Sequence, residues 1–180
     1  MAFAFLAAAA YAASGAYVYI KKDSYVPKVA DKLRPYRGKH IYMASFTNSS
    51  TNTRGYDYYS SDQSVTYEAD STLDSYLWYG FQKALRNSHA WVYQDHLPPA
   101  PDIPELRLTI TSWTDSDYSC NVVLLKYGLI AFTKTESLTF EPASSDHPDI
   151  LEARAYRQMD KIIETVLGDP EFKQAFFRPE

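Results

Sequence analysis

One cysteine, Cys120, is the whole thiol complement of the 180-residue chain. A single thiol closes no internal disulfide, and without a C-x-x-C pair there is no thiolate metal site of the zinc-finger kind. Cys120 lies within an apolar run, so it reads as a small buried hydrophobe. Glycine is scarce too, at 6 residues. No G-x-G-x-x-G, G-x-x-x-x-G-K-[ST] or G-x-S-x-G occurs, which removes the dinucleotide loop, the P-loop and the nucleophile elbow. Positive charge is not in excess: the net charge is −4 and the pI about 5.6. A nucleic-acid binder carries a basic face, so no nucleic-acid partner is expected.

Catalytic sets are equally thin. His40, His89, His96 and His147 have no partner at helical metal-ligand spacing, and surface or capping roles are expected for them. The acidic pairs Asp115/Asp117 and Asp57/Asp62 sit in turn-like sequence, where solvated carboxylates do no general acid–base work. "DSDYS", residues 115–119, lacks the later ligands of a calcium loop. The hydroxyls of "TNSSTNT", residues 47–53, have no base placed to activate them. No cofactor, no metal and no enzymatic activity are expected.

What the chain does have is aromatic residues, 16% of the total, with 16 Tyr among them. Tyrosine combines an apolar body with a polar tip and suits wet interfaces. Residues 1–20 carry no charge and are followed by Lys21 and Lys22. Three readings stay open for this segment: a secretory signal, a retained anchor helix at the lower limit of bilayer-spanning length, or a buried or peripheral helix. Residues 21–38 are basic, hold two prolines and read as a linker, and residues 39–180 as a single domain.

Within that domain, "HIYMASF" (40–46) alternates as a strand, with Ile41, Met43 and Ser45 on one face and Tyr42, Ala44 and Phe46 on the other. Residues 47–70 form a long polar connection with "QSVTYEA" (63–69) as a candidate extra strand. Leu73, Tyr76, Leu77, Gly80, Phe81, Ala84 and Leu85 form one stripe of a helix over residues 71–87, with Ser71 as its N-cap. "AWVYQ" (90–94) and "LRLTITSW" (106–113) read as strands, and residues 120–140 as two more, with a bulge, bend or reversal at Gly128. A second helix spans 149–167 on the stripe Glu152, Ala155, Tyr156, Met159, Ile162, Ile163 and Val166, stopped by Gly168 and Pro170. "PEFKQAFF" (170–177) adds a short terminal turn or helix. The fold class is α+β: two helices packed on one face of a four- to five-stranded mixed or antiparallel sheet.

The connection over residues 45–67 has the Tyr, Ser and Asn content of an adaptable contact surface. Asn48, Arg54, Tyr56, Tyr58, Tyr59 and Tyr67 are its candidate contact residues, with Asn48 suited to holding the turn.

Phe46, Asn48 and Ser50 of "HIYMASFTNSS", then Leu85 and Ser88 at a helix end, then the strand from Glu105 to Ile110, form a pattern. It resembles the LptE-like lipopolysaccharide-assembly lipoproteins over residues 39–166. Related envelope domains share the phrase, including the ABC-transport auxiliary lipoproteins and the penicillin-binding-protein activator and CsgG group. These families carry a lipobox cysteine, and "ASGA" (13–16) puts Ala16 where it would stand. The resemblance implies two helices on a four-stranded sheet and a non-enzymatic function. Such a protein is a membrane-anchored or exported envelope component at the periplasmic face of the outer membrane, plugging a β-barrel translocon. It implies an outer-membrane β-barrel partner and contact with lipopolysaccharide or another envelope lipid, with Arg54, Arg107 and Lys126 as phosphate-contact candidates. Two alternatives remain: an auxiliary subunit of an envelope lipid ABC transporter, and a small enzyme or ligand-binding module using the tyrosine-rich loop.

Overall fold

The computed structural model describes residues 16–59, 64–94 and 100–178. Its elements run β1 (Ala16–Ile20), a 3-10 helix (Ala30–Tyr36), β2 (His40–Met43), β3 (Thr47–Asn48), β4 (Gly55–Tyr59), β5 (Ser64–Ala69) and α1 (Leu73–Asn87). There follow β6 (Trp91–Tyr93), β7 (Glu105–Trp113), β8 (Asp117–Lys126), β9 (Leu129–Thr139), α2 (Pro148–Gly168) and α3 (Pro170–Phe177). The α+β class holds, with helices packed against a mixed sheet. The large sheet has six strands in the order β6-β2-β7-β8-β9, with β3 alongside β7. A separate three-stranded sheet has the order β1-β5-β4.

The long strands form as their alternation dictates. Leu106, Leu108 and Ile110 of β7 are buried and pair with Leu124, Val122 and Cys120 of β8. Cys120 is a buried free thiol, as its apolar setting requires. Two irregularities redirect side chains. From Met43 to Thr47 the chain advances four residues while β7 advances three, from Leu106 to Thr109. The extra residue reverses the alternation, so Phe46 joins the core and meets Phe81 of α1 edge-on at 5.4 Å. The shift between Ile110 and Ser112 does the same for Trp113, which is buried. β8 and β9 join through Tyr127 and Gly128, both at positive φ (53° and 73°). Two consecutive left-handed residues make the tight hairpin reversal that right-twisted strands favour.

The helices fall close to their periodicities. Thr72 rather than Ser71 precedes α1. His89, at φ 64°, takes the left-handed position after α1, and Ala90 N donates to Leu85 O at 3.0 Å. Gly168 does not play that part for α2. Asp169 is in extended backbone after it and caps α3, accepting from Phe172 N at 2.7 Å. Phe172 and Phe176 of α3 are buried, and Phe132 of β9 meets Phe172 edge-on.

The N-terminal part differs from the sequence reading. Residues 16–20, the end of the apolar segment, form a strand parallel to β5 with Val18 and Ile20 in the core. Residues 1–15 lie outside the described residues. Residues 21–38, expected as a linker, pack along α2 in the same direction as the helix. Lys21 N meets Tyr156 Oη, Tyr25 and Lys28 meet Asp160, Lys32 meets Glu164, and Tyr36 Oη donates to Leu167 O. Tyr25, Val29, Leu33 and Tyr36 are buried there. The proline-rich, basic composition hid a stripe of four apolar anchors. The described residues of the 47–70 connection are likewise mostly paired chain, with Ser64–Ala69 of "QSVTYEA" forming β5. No helix among the described residues is long and apolar enough to cross a membrane.

Gly55 fixes the β4–β5 register. A Cβ built on it would lie 2.2 Å from the backbone oxygen of Tyr67, which cannot rotate away. Gly55→Ala is expected to lower stability by roughly 2–3 kcal/mol through forced backbone displacement, measured by urea denaturation.

Candidate functional site

The residues singled out from the polar connection separate into surface and core. Asn48 holds the turn after β3: its Oδ1 accepts from Ser50 N at 2.9 Å and Ser50 Oγ at 2.7 Å, and its Nδ2 donates to Asn52 O at 2.8 Å. Arg54 is exposed, and its carbonyl accepts from Ala69 N. Tyr56 and Tyr67, expected to be contact residues, are instead buried in the core. Their cross-strand pairing places the rings 4.8 Å apart, and Tyr56 also stacks on Trp113 at 5.8 Å. Tyr58 is half-buried and donates to Asp146 Oδ1 at 2.9 Å. Tyr59 ends β4, and its side chain lies outside the described residues. Much of the tyrosine enrichment of residues 47–70 therefore builds the floor of the small sheet.

Beneath those rings lies a polar cluster that the helical stripe did not reveal. Arg154 and Gln158 of α2 are buried, although the expected stripe ran through Glu152 and Tyr156. Arg154 Nε donates to Glu141 O at 3.0 Å, and Nη2 to Glu141 O at 2.8 Å and Asp115 O at 3.0 Å. Nη1 faces the Asp115 carboxylate and Tyr67 Oη. Gln158 Nε2 donates to Asp115 O at 2.9 Å, and its Oε1 accepts from Tyr56 Oη at 3.1 Å. Burial alone would lower the Arg154 guanidinium, but the hydrogen bond and charge of Asp115 outweigh it and raise it. A recess of about 190 Å³ opens beside this cluster, next to Arg157 and Lys161. Arg154 can give a ligand there nothing new, because its five N–H groups already face acceptors. The cluster is a fastening between the β7–β8 turn, the β9–α2 connection and the small sheet.

A second charged cluster joins β9 to the α2–α3 junction. Lys134 Nζ lies 2.5 Å from Asp169 Oδ2 and 3.0 Å from Glu136 Oε1. The hydrogen bonds that Lys134 donates to the Asp169 and Glu136 carboxylates raise its ammonium. Burial would raise Asp169, but Lys134 and the amides of Phe172 and Glu171 hold it below the usual carboxylate range. Both Lys134 and Glu136 point inward from an edge strand, an arrangement that discourages pairing of a further strand.

Of the histidines, His40 bonds Tyr93 Oη at 2.8 Å and stacks on Trp91, while His147 precedes α2. His96 lies outside the described residues. No cluster of three metal-ligating side chains occurs among the described residues.

The remaining open surface is the outer face of the large sheet. Thr47, Thr109, Asn121 and Thr135 lie in one row across it, next to Thr111, Ser119, Thr133 and Ser137. Toward the β8–β9 turn the face changes character, through Trp91, Tyr93, Leu125 and Ile130.

No family model matches the chain, and no curated protein matches it. Two solved structures share its fold. One is a Xanthomonas campestris protein of the family DUF330, at 11% identity and a TM-score of 0.57, covering 84% of this chain and 90% of that one. The other is described only as an uncharacterized protein, at 14% identity and a TM-score of 0.53, covering 86% and 97%. At these identities the likeness is one of fold.

Arg154→Met is expected to cost about 3–5 kcal/mol, because it strands the Asp115 carboxylate and takes donors from the Glu141 and Asp115 carbonyls. Adding Asp115→Asn should return part of that loss, with a coupling of about 1–3 kcal/mol in a double-mutant cycle read by denaturant unfolding. Alkali gives a further expectation. Burial pushes Tyr67 and Tyr156 up to about 12, the latter with help from Glu152, and also raises Tyr25, Tyr36, Tyr56, Tyr76 and Tyr118. Unfolded tyrosines ionise near 10, so above that pH the unfolded state releases protons that the folded state retains. The stabilisation is complete below about pH 10 and is lost as pH rises toward 12. Tm, followed by thermal melts, should fall steeply in that window.

Proposed function

We propose that the chain is a non-enzymatic cell-envelope protein that works by docking on a larger membrane assembly. Its nearest analogy is the lipopolysaccharide-assembly lipoproteins that plug an outer-membrane β-barrel. The observation that supports this reading is the polar half of the open sheet face. Thr47 and Thr109 share a hydrogen bond of 2.8 Å, and Thr135 donates to Asn121 at 2.8 Å. Short hydroxyl and amide side chains that already hold one another lose little rotamer entropy on contact. They carry no charge to desolvate. The lumen of an outer-membrane barrel is polar, so a flat carpet of donors and acceptors is the complementary surface. The protein then acts by interface burial at the periplasmic face of the outer membrane, with lipopolysaccharide or another envelope lipid as neighbour. The charged clusters around Arg154 and Lys134 serve this reading by stiffening the domain.

The small sheet favours a second reading, an auxiliary subunit of an envelope lipid ABC transporter. The resemblance to the lipopolysaccharide-assembly proteins implies two helices on four strands, which leaves β1, β4 and β5 without a counterpart. An accessory domain with a further sheet has two separate surfaces to offer a multi-subunit exporter.

Partner capture tests both. A photocrosslinker at Thr135 in native membranes should yield a large β-barrel, with one at Val26, exposed on another part of the molecule, as control. Thr135→Arg should reduce recovery of that partner roughly tenfold, equivalent to about 1.4 kcal/mol, with Tm unchanged. Products with an inner-membrane ATPase complex would select the second reading. Crosslinking at Thr135 no greater than at Val26 would sink both.

A further inference from the structure

Four of the large apolar side chains that the fold leaves in solvent lie at one end of the large sheet, apart from Tyr17, Tyr19, Val26, Tyr79 and Ile150. Leu129 is 72% exposed, Ile130 67%, Trp91 61% and Tyr127 45%. The strand register puts them together. Tyr93, Tyr42, Glu105, Leu125 and Ile130 form one row across five strands, and Trp91, Tyr127 and Leu129 lie beyond it at the end of the β8–β9 turn, Leu129 on the opposite face from Ile130. Leu129 and Ile130 project from the two-residue reversal at Tyr127 and Gly128, the tightest protrusion a sheet can make. A protruding aliphatic tip is the shape that enters a soft surface.

The charge behind the tip has one prevailing sign. Two recesses, of about 410 and 520 Å³, open there and share Asp102 and Lys126 in their walls. Among the described residues, Lys39 lines the larger recess and Arg178 the smaller, beside Lys126 and the single carboxylate Asp102. Lys126 donates to Arg178 O at 2.9 Å, which fixes the end of α3 beside the tip. Glu105, the other nearby carboxylate among the described residues, is paired with Arg107 at 2.5 Å. This local excess stands against a chain whose net charge is −4.

Aliphatic residues at the apex, Tyr and Trp at the shoulders and cations behind them match the layers of a bilayer surface. Acyl chains lie deepest, then the interfacial zone that amphipathic rings prefer, then the phosphates. We propose that this end of the molecule is a peripheral contact surface for an anionic lipid bilayer. Leu129 and Ile130 enter the acyl boundary, Tyr127 and Trp91 sit at headgroup level, and Lys39, Lys126 and Arg178 face the lipid phosphates. The contact is independent of the polar half of the sheet on which the docking reading rests, so its failure would leave that reading intact.

The test uses the full chain with vesicles of phosphatidylcholine alone or containing roughly 30% phosphatidylglycerol, because anionic lipid is what the cations would sense. Lipids brominated near the glycerol should quench tryptophan fluorescence in the anionic vesicles, and Trp91→Phe should remove most of that quenching. Leu129→Ser with Ile130→Ser should weaken the quenching partition about tenfold or more. Lys39→Glu with Arg178→Glu should do the same by charge. All five positions are exposed, so unchanged Tm confirms that each variant is folded. Quenching that persists in Trp91→Phe, equal binding to neutral vesicles, or unaltered partition in Leu129→Ser/Ile130→Ser would overturn the proposal.

Discussion

The five N–H groups of Arg154 are the point on which the far end of the molecule depends. They face the Asp115 carboxylate and carbonyl, the Glu141 carbonyl and the Tyr67 hydroxyl. One guanidinium thereby ties α2 to the turn after β7, to the segment after β9 and to the small sheet. A planar fork with a fixed charge can do this where a lysine could not, because it presents donors in several directions at once. Above it the aromatic stack of Tyr67, Tyr56 and Trp113 excludes water. Low polarity strengthens each bond in the cluster and raises the cost of losing any one of them.

At the other end, Lys134 and Asp169 do a comparable task with fewer contacts, holding α3 against β9 while Asp169 caps the helix. Between the two lies α2, which at 21 residues spans about 31 Å. Residues 21–36 run beside it, so the chain is carried from the small sheet toward the α3 end along a continuous packed edge. The architecture is thus a bar fastened at both ends, with the large sheet open on its outer face.

That outer face is divided along its strands. One half is hydroxyl and amide, the other aromatic and aliphatic around the Glu105–Arg107 pair. A uniformly apolar face would promote aggregation and a uniformly polar one would offer a bilayer nothing to take up. The division lets a polar protein wall and a lipid surface be met by different parts of one sheet, which is why the proposed docking and the proposed lipid contact do not compete for the same residues.

Local periodicity was enough to place α1, α2, β7 and the candidate strand that became β5, because a helix or a half-buried strand writes its burial into neighbouring residues. The same applied to Asn48, whose turn is made with residues two and four positions away. The α+β class followed from the order of those elements. What residues 16–36 do could not be read this way. Small and apolar residues suit a strand as well as a membrane segment, and pairing with β5 across nearly fifty positions decided for the strand. Tyr56 and Tyr67 looked like surface residues in a polar stretch, and only the β4–β5 pairing turned them inward. Arg154 and Gln158 carry no local mark of burial, since their partners lie on segments joined only in the folded chain. Single extra residues before Thr47 and at Thr111 reversed the facing of Phe46 and Trp113, because side chains alternate with period two and one insertion inverts every position after it.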